Sequence, residues 1–261
     1  GDHAVHLHRR CRLRGDGMKE VNYTVLTNER IAPDTWKMTL SGDTNAITRP
    51  GQFVNFHIQG LYLRRPISVC RREENTLTIV YKVVGKGTEA LSKMTGGEVL
   101  NALSGLGNGF DTAKSGDRPV LIAGGVGTPP MVQLCKDLRE QGKQVTVCLG
   151  FRSNQDVILV DELEAMGAEV RIATEDGSQG TRGFVTNILP ENATYFYACG
   201  PEPMLKAVYK ATAMDGELSF EERMGCGFGA CMGCTCKTKY GNKRICKDGP
   251  VLTKGEVIFD A

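Results

Sequence analysis

The chain has 261 residues, 41% of them hydrophobic and 24% charged, with a formal net charge of +2. That length suits about two domains of an ordinary soluble globular protein, and no stretch approaches the roughly 18 consecutive apolar residues of a membrane span. Four arginines (Arg9, Arg10, Arg12, Arg14) against Asp2 and Asp16 account for the whole charge excess. The remainder is neutral, which excludes nucleic acid as a partner because such binding neutralises several phosphates together.

Residues 1–17, with His3, His6 and His8 among the arginines, read as a leader or tag-like segment before an initiator-like Met18. The segment lacks the apolar run of a signal peptide, so the protein is expected in the cytoplasm. From Tyr23 to about Ala102 short β-rich runs are separated by turn residues: Asn22–Thr27, Trp36–Leu40, Phe53–Ile58 and Leu77–Val84. Phe53, Asn55 and His57 alternate with Val54, Phe56 and Ile58, which predicts one buried face per strand in a small antiparallel barrel or sandwich. Within this region Arg65-Pro66-Ile67-Ser68 offers a cation and a hydroxyl, and Gly85-Lys86-Gly87-Thr88 leads into a predicted helix at Glu89–Met94. Both an arginine and a helix start can neutralise a pyrophosphate, although Arg65 by itself also reads as a solvated surface charge.

Near Arg118 the texture changes. Strands are predicted at Pro119–Ala123, Val145–Phe151, Val170–Thr174 and Tyr195–Cys199, with helices at Met131–Gln141, Val160–Met166, Phe184–Leu189 and Met204–Met214. Such alternation argues for a doubly wound α/β domain with a parallel sheet. Its first turn, LIAGGVGTPPM, places Gly124, Gly125, Gly127 and Thr128 between a strand and a helix opened by prolines. Glycines permit a phosphate-bearing ligand to approach the backbone, but the spacing is not the G-x-G-x-x-G fingerprint, and a tight strand-to-helix connection explains it too. Cys199-Gly200-Pro201 forms a second turn at a strand's carboxyl end, where ligands of open α/β sheets bind. A nicotinamide nucleotide is expected across these two turns.

After Gly216 the chain turns Gly- and Cys-rich, with so little apolar mass that a metal is expected to hold it. Five of the ten cysteines fall within residues 226–246, which reads as a metal site rather than a disulfide framework. Cys226, Cys231 and Cys234, followed by Cys246, give the C-x4-C-x2-C…C spacing of a plant-type [2Fe-2S] cluster, with two thiolates on each iron. A zinc ion is the rival occupant, but zinc ribbons usually carry two C-x2-C knuckles and this chain has one. Cys236 competes with Cys246 for the fourth ligand position; Cys246 is favoured because it arrives from a separate segment.

The segments RRPISVC, GKGT, LSGLGNGF, GGVGTPPM, ACGPEPML, EERMGCGFGACMGC and RICKDGPVL, spread over about residues 20–258, resemble the ferredoxin reductase superfamily. Within it they most resemble the electron-transfer subunits of NAD-dependent, class 1B dihydroorotate dehydrogenases. The resemblance implies an FAD-binding barrel over 18–115, an NAD-binding domain over 116–216 and a [2Fe-2S] subdomain over 217–261. It also implies that Arg65, Pro66, Ile67, Ser68, Val80, Tyr81, Lys82, Gly87 and Thr88 contact FAD. Ser68 would lie near the flavin ring and Arg65 near the pyrophosphate. Ile67 departs from the aromatic residue common at that position, which leaves open what stacks on the ring. The implied circuit runs from dihydroorotate to FMN in a separate catalytic subunit, then through the cluster and FAD to NAD+, in a heterotetramer of two copies of each subunit. Competing readings are the flavin and iron-sulfur subunit of a ferredoxin:NADP oxidoreductase, a sulfite-reductase-like or a hydrogenase-associated enzyme, or a zinc-stapled adaptor without activity. Arg152 and Ser153, after the second parallel strand, could meet the 2′-phosphate of NADP.

Overall fold

In the computed structural model, residues 17–259 are described; the predicted leader lies outside them save for Gly17. The first half is a closed antiparallel barrel of six strands: β1 (Lys19–Ala32), β2 (Thr35–Ser41), β3 (Phe53–Phe56), β4 (Arg65–Glu73), β5 (Thr76–Lys82) and β6 (Val99–Leu106), in the order β1-β2-β5-β4-β3-β6. Closure depends on β1. Its amino-terminal part pairs with β6 and its carboxyl-terminal part with β2, with register shifts at Val25/Thr27 and Arg30/Ala32 that bend the strand around the barrel. Tyr23, Val25, Met38, Leu40, Val54, Phe56, Leu77 and Ile79 fill the interior. The one polar group among them, the Tyr23 hydroxyl, lies 3.0 Å from Ser104 Oγ and donates to the Asp43 carbonyl.

The expectation of one buried face per strand fails at β3, where all four residues are buried. Val54 and Phe56 face the barrel interior, whereas Phe53 joins a core with the second domain and Asn55 meets the cysteine-rich tail. Alternation was lost because a second layer of protein covers the outer face. Helix α1 (Lys86–Ser92) begins three residues earlier than predicted. The Thr88 hydroxyl accepts from the backbone amides of Val84 and Gly85, at 2.9 and 3.3 Å, and so starts the helix before Glu89.

The second half follows the predicted alternation. Strands β7 (Pro119–Gly124), β8 (Thr146–Phe151), β9 (Glu169–Thr174), β10 (Thr181–Arg182) and β11 (Tyr195–Cys199) are parallel, with helices α2 (Pro129–Glu140) and α3 (Val160–Ala165) between them and α4 (Glu202–Ala211) after β11. The predicted helix at Phe184–Leu189 is a 3₁₀ turn over Val185–Ile188. Two further strands come from the tail. β12 (Gly216–Ser219) runs parallel to β11, and β15 (Val251–Thr253) runs antiparallel to β12, giving the sheet order β10-β9-β8-β7-β11-β12-β15. Between them lies a hairpin of β13 (Thr235–Thr238) and β14 (Gly241–Arg244). The tail is therefore anchored at both ends by main-chain pairing, not by a metal alone; residue 216, the expected domain limit, is the first residue of β12. No helix among the described residues is long and apolar enough to cross a membrane.

Barrel and sheet share buried surface. Cys70, Val80 and Phe110 pack with Met131, Val132 and Cys135 of α2, and the amide of Arg72 donates to Gln133 Oε1 at 2.8 Å. Beyond β6, Asn108 acts as a surrogate strand. Its amide donates to the Gly249 carbonyl at 2.8 Å, and its side chain donates to the Val251 carbonyl at 2.8 Å and accepts from the Val251 amide at 3.1 Å. Asn108→Ala orphans both groups of a buried residue, so urea denaturation should show a loss of about 2 kcal/mol. Asn108→Asp, which keeps the acceptor but sets a carboxylate oxygen against the Val251 and Asp248 carbonyls, should lose at least as much.

Candidate functional site

Three predicted segments converge where barrel, sheet and tail meet. On the barrel side, β3 and β4 pair Phe53 with Ser68, Asn55 with Pro66 and Phe56 with Arg65. Cross-strand partners project to the same face, so Pro66 and Ser68 stand beside Asn55 and Phe53 on the outer surface, while Ile67 packs against the barrel interior. Arg65 crosses the start of α1, and a Cβ on Gly87 would lie 2.1 Å from its Nε. The RPIS and GKGT segments are thus in contact through a glycine that only a missing side chain allows. Arg65 Nη1 donates to the carbonyls of Leu63 and Arg64. Val80 and Tyr81 are buried; Tyr81 donates its hydroxyl to Asn28 Oδ1, whose Nδ2 donates to the Leu91 carbonyl of α1, and desolvation pushes the phenol up to about 12. Their side chains are committed to the cores; Lys82 is exposed.

The two glycine turns are in contact at the topological switch point of the sheet. After β7 the chain winds outward through β8, β9 and β10, then returns to place β11 on the other side of β7, with Ala123 opposite Cys199. Ligands of open α/β sheets occupy the crevice such a reversal leaves. A Cβ on Gly127 would lie 2.2 Å from the Cys199 carbonyl oxygen, and one on Gly200 would lie 2.7 Å from Met204 Cε. Gly125 differs: its φ is +53° and nothing lies within 4 Å of an added Cβ, so it marks the open side of the turn. Thr128 is fully buried and its hydroxyl has no hydrogen-bond partner, which suits a polar ligand group at that point. Desolvation raises the Cys199 thiol to about 12, helped by the Glu221 carboxylate and opposed by Ser219. Glu221 is exposed to solvent.

In the tail, the four cysteines come as two pairs. Cys226 Sγ accepts from the amides of Ala230 at 3.2 Å and Cys231 at 3.4 Å, while the Cys226 amide donates to Cys231 Sγ at 3.5 Å. Cys234 Sγ accepts from the Cys246 amide at 3.4 Å, and these two thiols are buried. Two thiol pairs suit two irons, with two ligands on each. Desolvation opposes ionisation of Cys226, but the backbone donors around it prevail and lower its thiol to about 6; desolvation and the neighbouring Cys234 raise Cys246 to about 12. Cys236 stands on β13 opposite Lys243, half-buried. Arg244 clasps the ligand loops, donating to the Gly229 carbonyl at 2.7 Å and to Asp248 at 3.2 Å.

Comparison with known proteins gives the family. The iron-sulfur cluster binding domain of dihydroorotate dehydrogenase B matches residues 221–258, and the oxidoreductase NAD-binding domain matches 121–210. The dihydroorotate dehydrogenase B (NAD(+)) electron transfer subunit of Geobacillus sp. (strain WCH70) is 43% identical over 258 residues, covering 93% of this chain and all of that one. The chain belongs to this family of electron transfer subunits. The Fusobacterium nucleatum member is 40% identical with the same coverage. Among solved structures, an NADH-dependent reduced ferredoxin-NADP oxidoreductase superposes with a TM-score of 0.82 at 27% identity, covering 90% of this chain and 89% of that one. A Neisseria gonorrhoeae ferredoxin NADP+ reductase with bound FAD and NADP, at 17% identity and a TM-score of 0.62, shares the fold.

Asn55 and Arg244, which bond main-chain carbonyls of the cysteine loop, are not singled out by the sequence reading. Only Asn55 left a trace in the sequence, as an amide inside the apolar run FVNF. The two turn glycines should respond unequally to a methyl group. Gly125→Ala points into open space and should cost about 1 kcal/mol for its left-handed backbone, whereas Gly127→Ala drives into the Cys199 carbonyl. A melting temperature for Gly127→Ala no lower than that for Gly125→Ala would contradict the contact between the turns.

Proposed function

We propose that this chain carries electrons from a dihydroorotate-oxidising catalytic subunit to NAD+, using FAD and a [2Fe-2S] cluster held in one molecule. A single observation supports the reading most strongly. Phe53 of the barrel, Val120 and Phe196 of the sheet, and Cys234 and Cys246 of the tail belong to one buried cluster. The expected sites for flavin, nucleotide and iron-sulfur centre are therefore built around a common core. Flavin supplies the junction chemistry, accepting electrons singly and releasing a pair as hydride.

In this reading Cys226 and Cys231 hold one iron, and Cys234 and Cys246 the other. Backbone amides around Cys226 favour the thiolate that a metal requires. Arg65, Pro66, Ile67, Ser68, Lys82, Gly87 and Thr88, with the main chain of Val80 and Tyr81, form the FAD site, and Arg65 exchanges its carbonyl contacts for the pyrophosphate. Gly124, Gly125, Gly127, Thr128, Cys199, Gly200 and Pro201 receive NAD. Ser153 donates its hydroxyl to Asp156 at 3.2 Å, and the Asp176 amide donates to the Arg152 carbonyl at 3.2 Å. Ser153 thus sits beside a carboxylate that would repel a 2′-phosphate, which favours NAD over NADP. The relatives' name, electron transfer subunit, implies a catalytic partner; an FMN-bearing subunit in a two-plus-two assembly completes the proposal.

The purified chain should oxidise NADH with artificial acceptors alone and form NADH from dihydroorotate only after the catalytic subunit is added. Cys246→Ala should lose iron and that coupled activity, whereas Cys236→Ala should retain both. Dihydroorotate turnover by the isolated chain, or iron lost only from Cys236→Ala, would overturn the assignment.

A further inference from the structure

Asn55 is a side-chain amide, 1% exposed, in the barrel strand that touches both the flavin-site strand and the cysteine loop. Its Nδ2 donates to the Cys226 carbonyl at 3.2 Å. Its Oδ1 is buried without a hydrogen-bond partner. The loop is moulded to it: Gly227 has a φ of +79°, and a Cβ there would lie 2.2 Å from Asn55 Nδ2. On the strand side the Asn55 carbonyl accepts from Arg64 Nη1 at 3.3 Å, and the same nitrogen reaches Asn101 Oδ1 at 3.0 Å. Asn55 is also the register partner of Pro66. An isosteric apolar residue would fill this space without stranding an oxygen; what the amide adds is a directed donor at the cysteine loop.

We infer that Asn55 is the positioning residue that fixes the Cys226 peptide against the flavin-site strand through its bond to the Cys226 carbonyl. The inference rests on Cys226 being a cluster ligand. Hydrogen bonds and local charge around a cluster set its reduction potential, and a donor to the carbonyl of a ligand residue draws negative charge from that peptide, which favours the reduced form. Asn55 touches no reacting atom. Its effect is on how firmly the loop is held and how readily the cluster accepts an electron.

The test uses the full-length chain with FAD and iron, comparing wild type with Asn55→Leu, which keeps the volume, and Asn55→Ser, which is too short to reach Cys226. Iron content and the visible spectrum of the wild type come first; a wild type without a [2Fe-2S] signature would refute the ligand assignment itself. With the cluster present, both variants should keep wild-type flavin content and flavin reduction by NADH. A redox titration followed by electron paramagnetic resonance should show the cluster about tenfold harder to reduce, equivalent to 59 mV for one electron. Selective loss of iron with flavin retained would equally support the positioning role. Cluster-loaded variants with the wild-type midpoint would overturn it, as would joint loss of flavin and iron in both variants, which would make Asn55 a general packing residue.

Discussion

The arrangement depends on burial of both faces of β3. Val54 and Phe56 complete the barrel core, while Phe53 and Asn55 are covered by the sheet and the cysteine loop. Four residues thus fix three units relative to one another. Electron exchange between separate centres demands such rigidity, because it requires close and constant approach. A barrel with a solvated outer face would have bound a flavin but left its distance to the tail free.

The sheet adds the second constraint. Its reversal between β7 and β11 opens one crevice, and the packing of Gly127 on the Cys199 carbonyl closes all but one side of the turn there. The tail then adds β12 and β15 to the same sheet, so the cysteine loop hangs from two strands whose positions the nucleotide domain dictates. Asn108, bonded to both main-chain groups of Val251, returns that edge to the barrel. The molecule is held as a ring of contacts rather than a string of modules.

Much of this was legible in the sequence where local rules and global packing agree. The alternation of strands and helices over 119–211 and the plant-type cysteine spacing depend on periodicity and on metal geometry. Gly-rich turns at strand ends announced themselves for the same reason, since close backbone approach demands glycine. What remained hidden was set by distant partners. The amphipathic reading of β3 could not include the surface covering its outer face, and β12 and β15 are strands of four and three residues whose pairing the sheet decides. Arg244 and Asn108 carry ordinary polar side chains that acquire roles only through partners brought near by the fold. Tyr81 and Thr88 illustrate the converse, since their side chains serve the barrel core and the helix start even where the family pattern sets them beside a cofactor.

The central claim is that flavin and cluster occupy one molecule in electronic contact with the nucleotide crevice. Anaerobic titration of the purified chain with NADH, followed by its visible spectrum and by electron paramagnetic resonance, tests this most directly. The account predicts that flavin and cluster bands bleach together, with uptake of about three electrons per chain, two by flavin and one by the cluster, and that the reduced-cluster resonance appears. Flavin bleaching while the cluster band persists under excess NADH would contradict it.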